Sequence, residues 1–135
     1  MTSAAPRPEV AVGAVVVRDR RLLLIERGRG VNVGLWSLPG GRVEPAETLA
    51  GAVRRELREE TGLLAHVGPL CGIAERISDQ AHYVILDFWA DANGTPIAGD
   101  DAADVTWANR ADLDRLHLVD GLLDFLAAHH VLDRL

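Results

Sequence analysis

The chain has 135 residues, 48% of them hydrophobic, and a formal charge of −6; this suits one globular domain able to bury a single core, read as residues 9–135 behind a disordered lead-in of residues 1–8. The acidic balance argues against a nucleic-acid polymer as partner, because binding a phosphate backbone needs clustered Lys and Arg, but it leaves a small phosphorylated ligand open. No apolar run approaches the ~18 residues of a membrane span, the N-terminus lacks the pattern of a secretion signal, and the lone Cys71 can form no intramolecular disulfide, so a cytoplasmic protein without a membrane partner is expected.

In chain order, Val10 to Val17 is a small and β-branched run, Arg18-Asp19-Arg20 a polar turn, and Leu22 to Glu26 a second apolar run. Two strands joined by a tight turn are expected. Arg27 to Gly34 then reads as a glycine-rich loop whose Arg27 and Arg29 suit either a ligand's phosphates and ribose or plain solvation, with Arg27 kept as a substrate-binding candidate. Pro39-Gly40-Gly41 predicts a sharp turn that brings main-chain oxygens close to a ligand. Glu44-Pro45 is expected to open a helix, with Pro45 in its first position and Glu47 satisfying exposed N–H groups, and Gly62 to end it in a positive-φ conformation.

At about 100° per residue, Ala46, Leu49, Ala50, Val53 and Leu57 of that helix fall on one arc, which must face the core. Glu60 falls inside the arc and Glu56 at its edge, while Glu56, Glu59 and Glu60 together stand at i, i+3 and i+4. Carboxylates aimed at buried structure cost several kcal/mol each unless their charge is compensated. A divalent cation would compensate it; so would a salt-bridged surface helix using Arg54, Arg55 and Arg58.

Beyond the helix, Leu63 to Ile77 predicts strand with bends or bulges at Gly68, Pro69 and Gly72. Cys71, between Leu70 and Ile73, reads as a small buried hydrophobe rather than a nucleophile. His82 to Ala90 is a strand with two largely apolar faces, and its Tyr83 and Trp89 suit either core packing or stacking on a nucleobase. Asp91 to Asp104 is a turn-rich acidic loop with Asn93-Gly94 as a hairpin signal. Val105 to Ala108 is a short strand, and Asp112 to Leu116 and Val119 to Leu132 are helices, with His129 and His130 on the surface near a helix C-terminus. Local pattern alone gives mixed α/β.

Counting from Gly41, the chain runs five residues to Glu47, seven more to Arg55-Glu56-Leu57, then Glu59-Glu60 and Gly62-Leu63. This stretch resembles the Nudix hydrolase signature at every fixed position, and Leu35 to Gly40 resembles the usual approach to it. The resemblance implies an α/β/α sandwich with a mixed sheet between helices. It also implies Mg²⁺, with Mn²⁺ as an alternative, bound by Glu56, Glu60 and the Gly40 carbonyl, with Glu59 as a further ligand or as a base acting through water. Oxygen ligands suit such hard ions, and the box holds no Cys or His to favour zinc. Glu47 and Arg55, with Gly41 and Gly62, brace the box in this reading. Relatives draw a further ligand or base from the loop after the later strands. That loop here offers Asp100 and Asp101, with Asp101 preferred, although aspartate is shorter than the usual glutamate.

The implied activity is hydrolysis of a phosphoanhydride in a nucleoside diphosphate linked to another group, of the ADP-ribose type. Two alternatives are a MutT-type pyrophosphohydrolase of nucleoside triphosphates and, from another class, a sensor module that binds a nucleotide without turning it over. Many relatives are dimers, which makes a homodimer an open alternative; the sequence itself leaves the oligomeric state open.

Overall fold

The structure, a computed structural model, describes residues 6–30 and 32–135. The first five residues of the expected lead-in lie outside the described residues; Pro8, the last of them, already opens strand β1 (Pro8–Val15). The short strand β2 (Val17–Arg18) follows at once and forms a hairpin with β3 (Arg21–Arg27) through Asp19 and Arg20, both at positive φ. The expected hairpin is therefore much shorter than Val10 to Glu26. The chain leaves one sheet at Val15 and enters another at Val17, so β1 and β3 do not pair.

The first sheet has the order β5-β1-β7-β6, with β5 at Gly40–Arg42, β6 at Leu64–Ile77 and β7 at His82–Asn93. Its β1–β7 pairing is parallel and its other pairings antiparallel, which makes it a mixed sheet. In the second sheet β3 pairs with β2 and β4 (Trp36–Ser37) near its two ends and with β8 (Ala102–Ala108) along its length. The Asn93-Gly94 signal makes no hairpin, because β8 crosses to pair with β3 and the β7–β8 link is a crossover. The bulges expected around Gly68 to Gly72 are present, as register shifts between Val67 and Gly72.

Helix α1 (Leu49–Thr61) packs on one side, and α2 (Arg110–Arg115) and α3 (Leu122–Ala128) pack on the other. This is the α/β/α sandwich. It has two apolar layers rather than a single core, because a sheet between helices is covered on both faces. Val12, Ala14, Val53, Leu57 and Ala90 fill the α1 side, and Val15, Leu22, Leu24, Leu126 and Val131 the other. Each fully buried Val or Leu contributes about 1.5–3 kcal/mol.

Helix α1 begins later than the glutamate-proline pair suggests. Thr48 is its N-cap, its hydroxyl accepting from the Gly51 N–H, and Glu44 to Glu47 form a turn ahead of it. Ala46 is exposed at a φ of 64°, so it belongs to that turn and not to the core-facing arc. Gly62 closes the helix at a φ of 74°, donating to the Arg58 carbonyl. The last expected helix is shortened to α3 because Gly121, at a φ of 83°, starts it late and a 3₁₀ turn at Leu132–Arg134 replaces its end. His129 is half-buried against the Phe125 ring, at 4.5 Å, rather than a surface residue. His130 is exposed and pairs with Asp133.

Candidate active site

Strand β5 and helix α1 approach closely, and glycine permits the approach. A Cβ on Gly41 would stand 2.5 Å from the Glu56 carboxylate, and one on Gly40 would stand 2.1 Å from the Val12 carbonyl oxygen. The expected turn is present as a bend at Pro39, where the chain passes from the second sheet to the first, and Gly40-Gly41 continues as extended strand with neither glycine at positive φ. The glycines are needed here for closeness.

Glu60 is buried at 4% exposure, and its Oε1 accepts the Gly40 N–H at 2.8 Å. Glu56 stands beside it, the two carboxyls within hydrogen-bonding reach of each other. Burial raises both above the ordinary glutamate range. At Glu60 the Glu56 carboxylate adds to the rise, and the Gly40 amide and the charge of Arg27 oppose it; at Glu56 the Arg55 guanidinium and a hydrogen bond with Glu60 oppose the rise, and the charge of Glu59 adds to it.

Arg55 organises the outer side of the same helix. Its guanidinium forks onto Glu47 at 2.8 and 3.0 Å, donates to Glu56 at 2.8 Å and to Glu59 at 3.3 Å, and reaches the Arg42 carbonyl at 3.0 Å. Glu47 also accepts the Glu44 N–H at 3.0 Å. These bonds hold Glu47 down at a pKa of about 2, with the Arg55 hydrogen bonds the main cause. The salt-bridged helix expected as an alternative is thus present on one side only. Arg54 and Arg58 are exposed, and the buried Glu60 lies on the other side.

A cleft of about 1600 Å³ joins Glu56 and Glu60 to Gly40, Gly41, Arg27, Tyr83 and Asp101. Glu59 lies outside it, exposed and held by Arg55. Asp101 sits on the rim, its carboxylate paired with Arg29 and its carbonyl accepting the Gly28 N–H at 2.7 Å. Asp100 is outside the cleft, at a φ of 49°. This loop is tied to the end of α1, where Gly99 and Ile97 donate to the Glu60 and Thr61 carbonyls at 3.1 and 2.9 Å. Trp89 packs in the second apolar layer with Arg134 over its ring at 4.1 Å, which makes it a core residue.

The NUDIX domain family model matches residues 7–128. The chain belongs to the Nudix family. It is 37% identical over 112 residues to a protein of Methanocaldococcus jannaschii named ADP-ribose pyrophosphatase, covering 81% of this chain and 66% of that one. It is 38% identical over 95 residues to a putative 8-oxo-dGTP diphosphatase of Bacillus subtilis, covering 64% of this chain and 62% of that one. The chain thus spans somewhat under two thirds of the length of these relatives. A MutT Nudix hydrolase from Burkholderia pseudomallei has the same fold, with a TM-score of 0.82 at 32% identity, covering 90% of this chain and 97% of that one.

The Nudix box therefore has a braced outer side and an inner pair, Glu60 buried and Glu56 half-buried. That pair fits a hard divalent cation: two carboxylates beside a close main-chain strand, with room for water and phosphate oxygens, is a donor set Mg²⁺ accepts. Among the described residues no group of three or more His, Cys, Asp or Glu side chains is placed to hold a metal, so side chains alone do not make a closed cage.

One buried acid in the cleft went unnoticed in the sequence. Asp87, on β7, is 5% exposed and lines the cleft on the face away from α1. A lone acid inside a strand with two apolar faces was the available signal.

Proposed function

We propose that this Nudix domain hydrolyses a phosphoanhydride in a nucleoside diphosphate linked to another group, of the ADP-ribose type, in the cytoplasm. The observation that carries the reading is the Glu56–Glu60 pair, Glu60 buried and Glu56 half-buried beside it, at a cleft large enough for a nucleotide. Holding like charges there raises the affinity of the empty carboxyls for protons, and equally for a cation. Glu56, Glu60 and Gly40 would hold Mg²⁺, or Mn²⁺, and Glu59 would serve as a further ligand or as a base through water. When bound, such an ion neutralises anhydride oxygens and supplies hydroxide at neutral pH.

The remaining roles belong to the chain. Arg27, which lines the cleft and whose charge reaches Glu60, orients the phosphates. Tyr83 offers a ring to the base or sugar. Asp101, held at the rim by Arg29, is the second candidate base, acting on the attacking water from outside the glutamate pair. Arg55 and Glu47 keep α1 and the β5 edge in register.

A MutT-type reading, in which nucleoside triphosphates are cleaved, draws support from the names of the Bacillus and Burkholderia relatives. The deciding experiment is a product assay with Mg²⁺ on ADP-ribose, NADH, sugar nucleotides and ordinary or oxidised triphosphates, comparing wild type with Glu60→Gln. AMP and ribose phosphate, lost in the variant, are the expected products. Nucleoside monophosphate with pyrophosphate would replace this reading with the MutT-type one, and binding without turnover would leave a sensor module.

A further inference from the structure

The register of the first sheet sets Gly40, Gly13, Asp87 and Gly72 in one row across four strands, each paired with the next. Asp87 is the one residue of that row with a side chain. Its carboxyl leans over Gly13: a Cβ there would stand 2.0 Å from Asp87 Oδ1 and 3.5 Å from the Pro39 carbonyl oxygen. The absent Gly13 side chain is therefore the space that the Asp87 carboxyl occupies, tipped toward the strand that carries Gly40.

Among the described residues this carboxyl accepts no hydrogen bond and forms no ion pair. Arg76, on the neighbouring strand, acts on it only through its charge, and burial dominates, pushing Asp87 up to about 7. The residue is 5% exposed and faces the same cleft as Glu56 and Glu60, and its oxygens reach that cleft: among the described residues the one sealed polar side-chain atom without a partner is His82 Nε2. Two strand spacings separate it from Gly40, about 10 Å at ordinary sheet geometry, a distance that a ribose and a base can bridge from an anhydride held at the glutamates. The same cleft is lined by Ile85, Tyr83, Leu38 and Phe125 as well as by charged residues such as Glu75 and Arg76.

We propose that Asp87 is a specificity-determining residue that accepts a hydrogen bond from the exocyclic amine of an adenine base lodged against Ile85. The proposal rests on the ADP-ribose reading for the choice of base. A flat heterocycle is what the Ile85 and Tyr83 side chains fit, and an N–H donor is what the orphaned carboxyl lacks. Gly13 serves the same end by leaving the acid its place.

The test is binding, measured by calorimetry, of AMP and of purine riboside 5′-monophosphate, which lacks only the amine. Wild type is expected to prefer AMP by tenfold or more. Asp87→Ala should bring the two ligands within about threefold of each other, while Asp87→Asn, which keeps an acceptor oxygen, should retain most of the preference. The apo protein carrying Asp87→Asn should melt several degrees above wild type, because a buried charge has been removed; a purely structural role predicts a lower melting temperature. An unchanged preference in the alanine variant, no preference in wild type, no binding of AMP, or a melting temperature lowered by Asp87→Asn overturns the proposal. Turnover is not needed for this measurement, so failure of the hydrolytic reading would show in the product assay and not here.

Discussion

Two sets of carboxylates meet at the Nudix box under opposite electrostatic conditions. Glu47 is gripped by Arg55 through two bonds and held at a pKa of about 2, whereas Glu60 and Asp87 are buried away from arginine forks and shifted upward. Glu56 stands between the sets, touching Arg55 on one side and Glu60 on the other, and burial still wins. The braced acid holds α1 against β5. The strained acids carry a cost that binding a cation or a hydrogen-bond donor would offset.

The sharpest way to separate the two sets is to remove one member of each. Glu60→Gln should lower kcat/KM by about a thousandfold, roughly 4 kcal/mol of transition-state stabilisation, with an apo melting temperature equal to or above wild type. Steady-state kinetics and a thermal melt check the two halves; a large loss of stability would mean that Glu60 belongs with the bracing set. Arg55→Ala should do the reverse to the scaffold. It frees Glu47, Glu56 and Glu59 together, so the melting temperature should fall, with activity or Mg²⁺ affinity down by about 10- to 100-fold. Arg55→Lys should recover little, since an ammonium cannot fork onto Glu47.

The helical period was enough to place Glu60 on the core face, because 3.6-residue geometry follows from local sequence and Leu57 and Val53 fixed the buried direction. The limits of α1 were less legible. The sequence reading opens the helix at Glu44-Pro45, whereas Ala46 at positive φ breaks it there and Thr48 caps it, with Leu49 packed on the core. Sheet pairing was the least legible feature. Val16 carries no mark of a change of sheet, and Asn93-Gly94 looks like a hairpin although β8 is claimed by β3, a contact some 80 residues away in sequence. Asp87 was missed for a related reason: the alternation of β7 shows which face it occupies, but that Gly13 lies beside it depends on the parallel β1–β7 register.

The two sets also predict opposite limbs in the pH dependence of apo stability. Asp87 holds its proton in the folded state up to about pH 7, against an ordinary value of 3.8. The folded state therefore binds more protons than the unfolded one between these limits, and stability falls as pH rises through them, by an amount on the order of a few kcal/mol. The raised Glu56 and Glu60 act in the same direction. Glu47 runs the other way: its contribution is present above its ordinary value of 4.5 and is lost as pH falls toward 2. Denaturant titrations from pH 3 to 9 should show a maximum on the acidic side of neutrality. Asp87→Asn should flatten the upper limb, and Mg²⁺ should flatten it further by binding the glutamates. A stability that rises steadily to pH 8 without metal would contradict the assignment of the strained set.

The smallest effect is expected at the rim, where the Arg29–Asp101 pair resembles the bracing set but is exposed on both sides. Exposed pairs contribute little to stability, so Arg29→Ala should leave the melting temperature unchanged. Its effect on catalysis then reports on Asp101 alone. If Asp101 is the base, Asp101→Asn should lower kcat by about a hundredfold or more while Glu59→Gln has the smaller effect, and Arg29→Ala, which frees the Asp101 carboxylate, should lower kcat by a few-fold. If Glu59 is the base instead, the Arg29 and Asp101 substitutions leave kcat in place and Glu59→Gln abolishes turnover, which would return the rim pair to ordinary surface electrostatics and leave the chemistry wholly within the box helix.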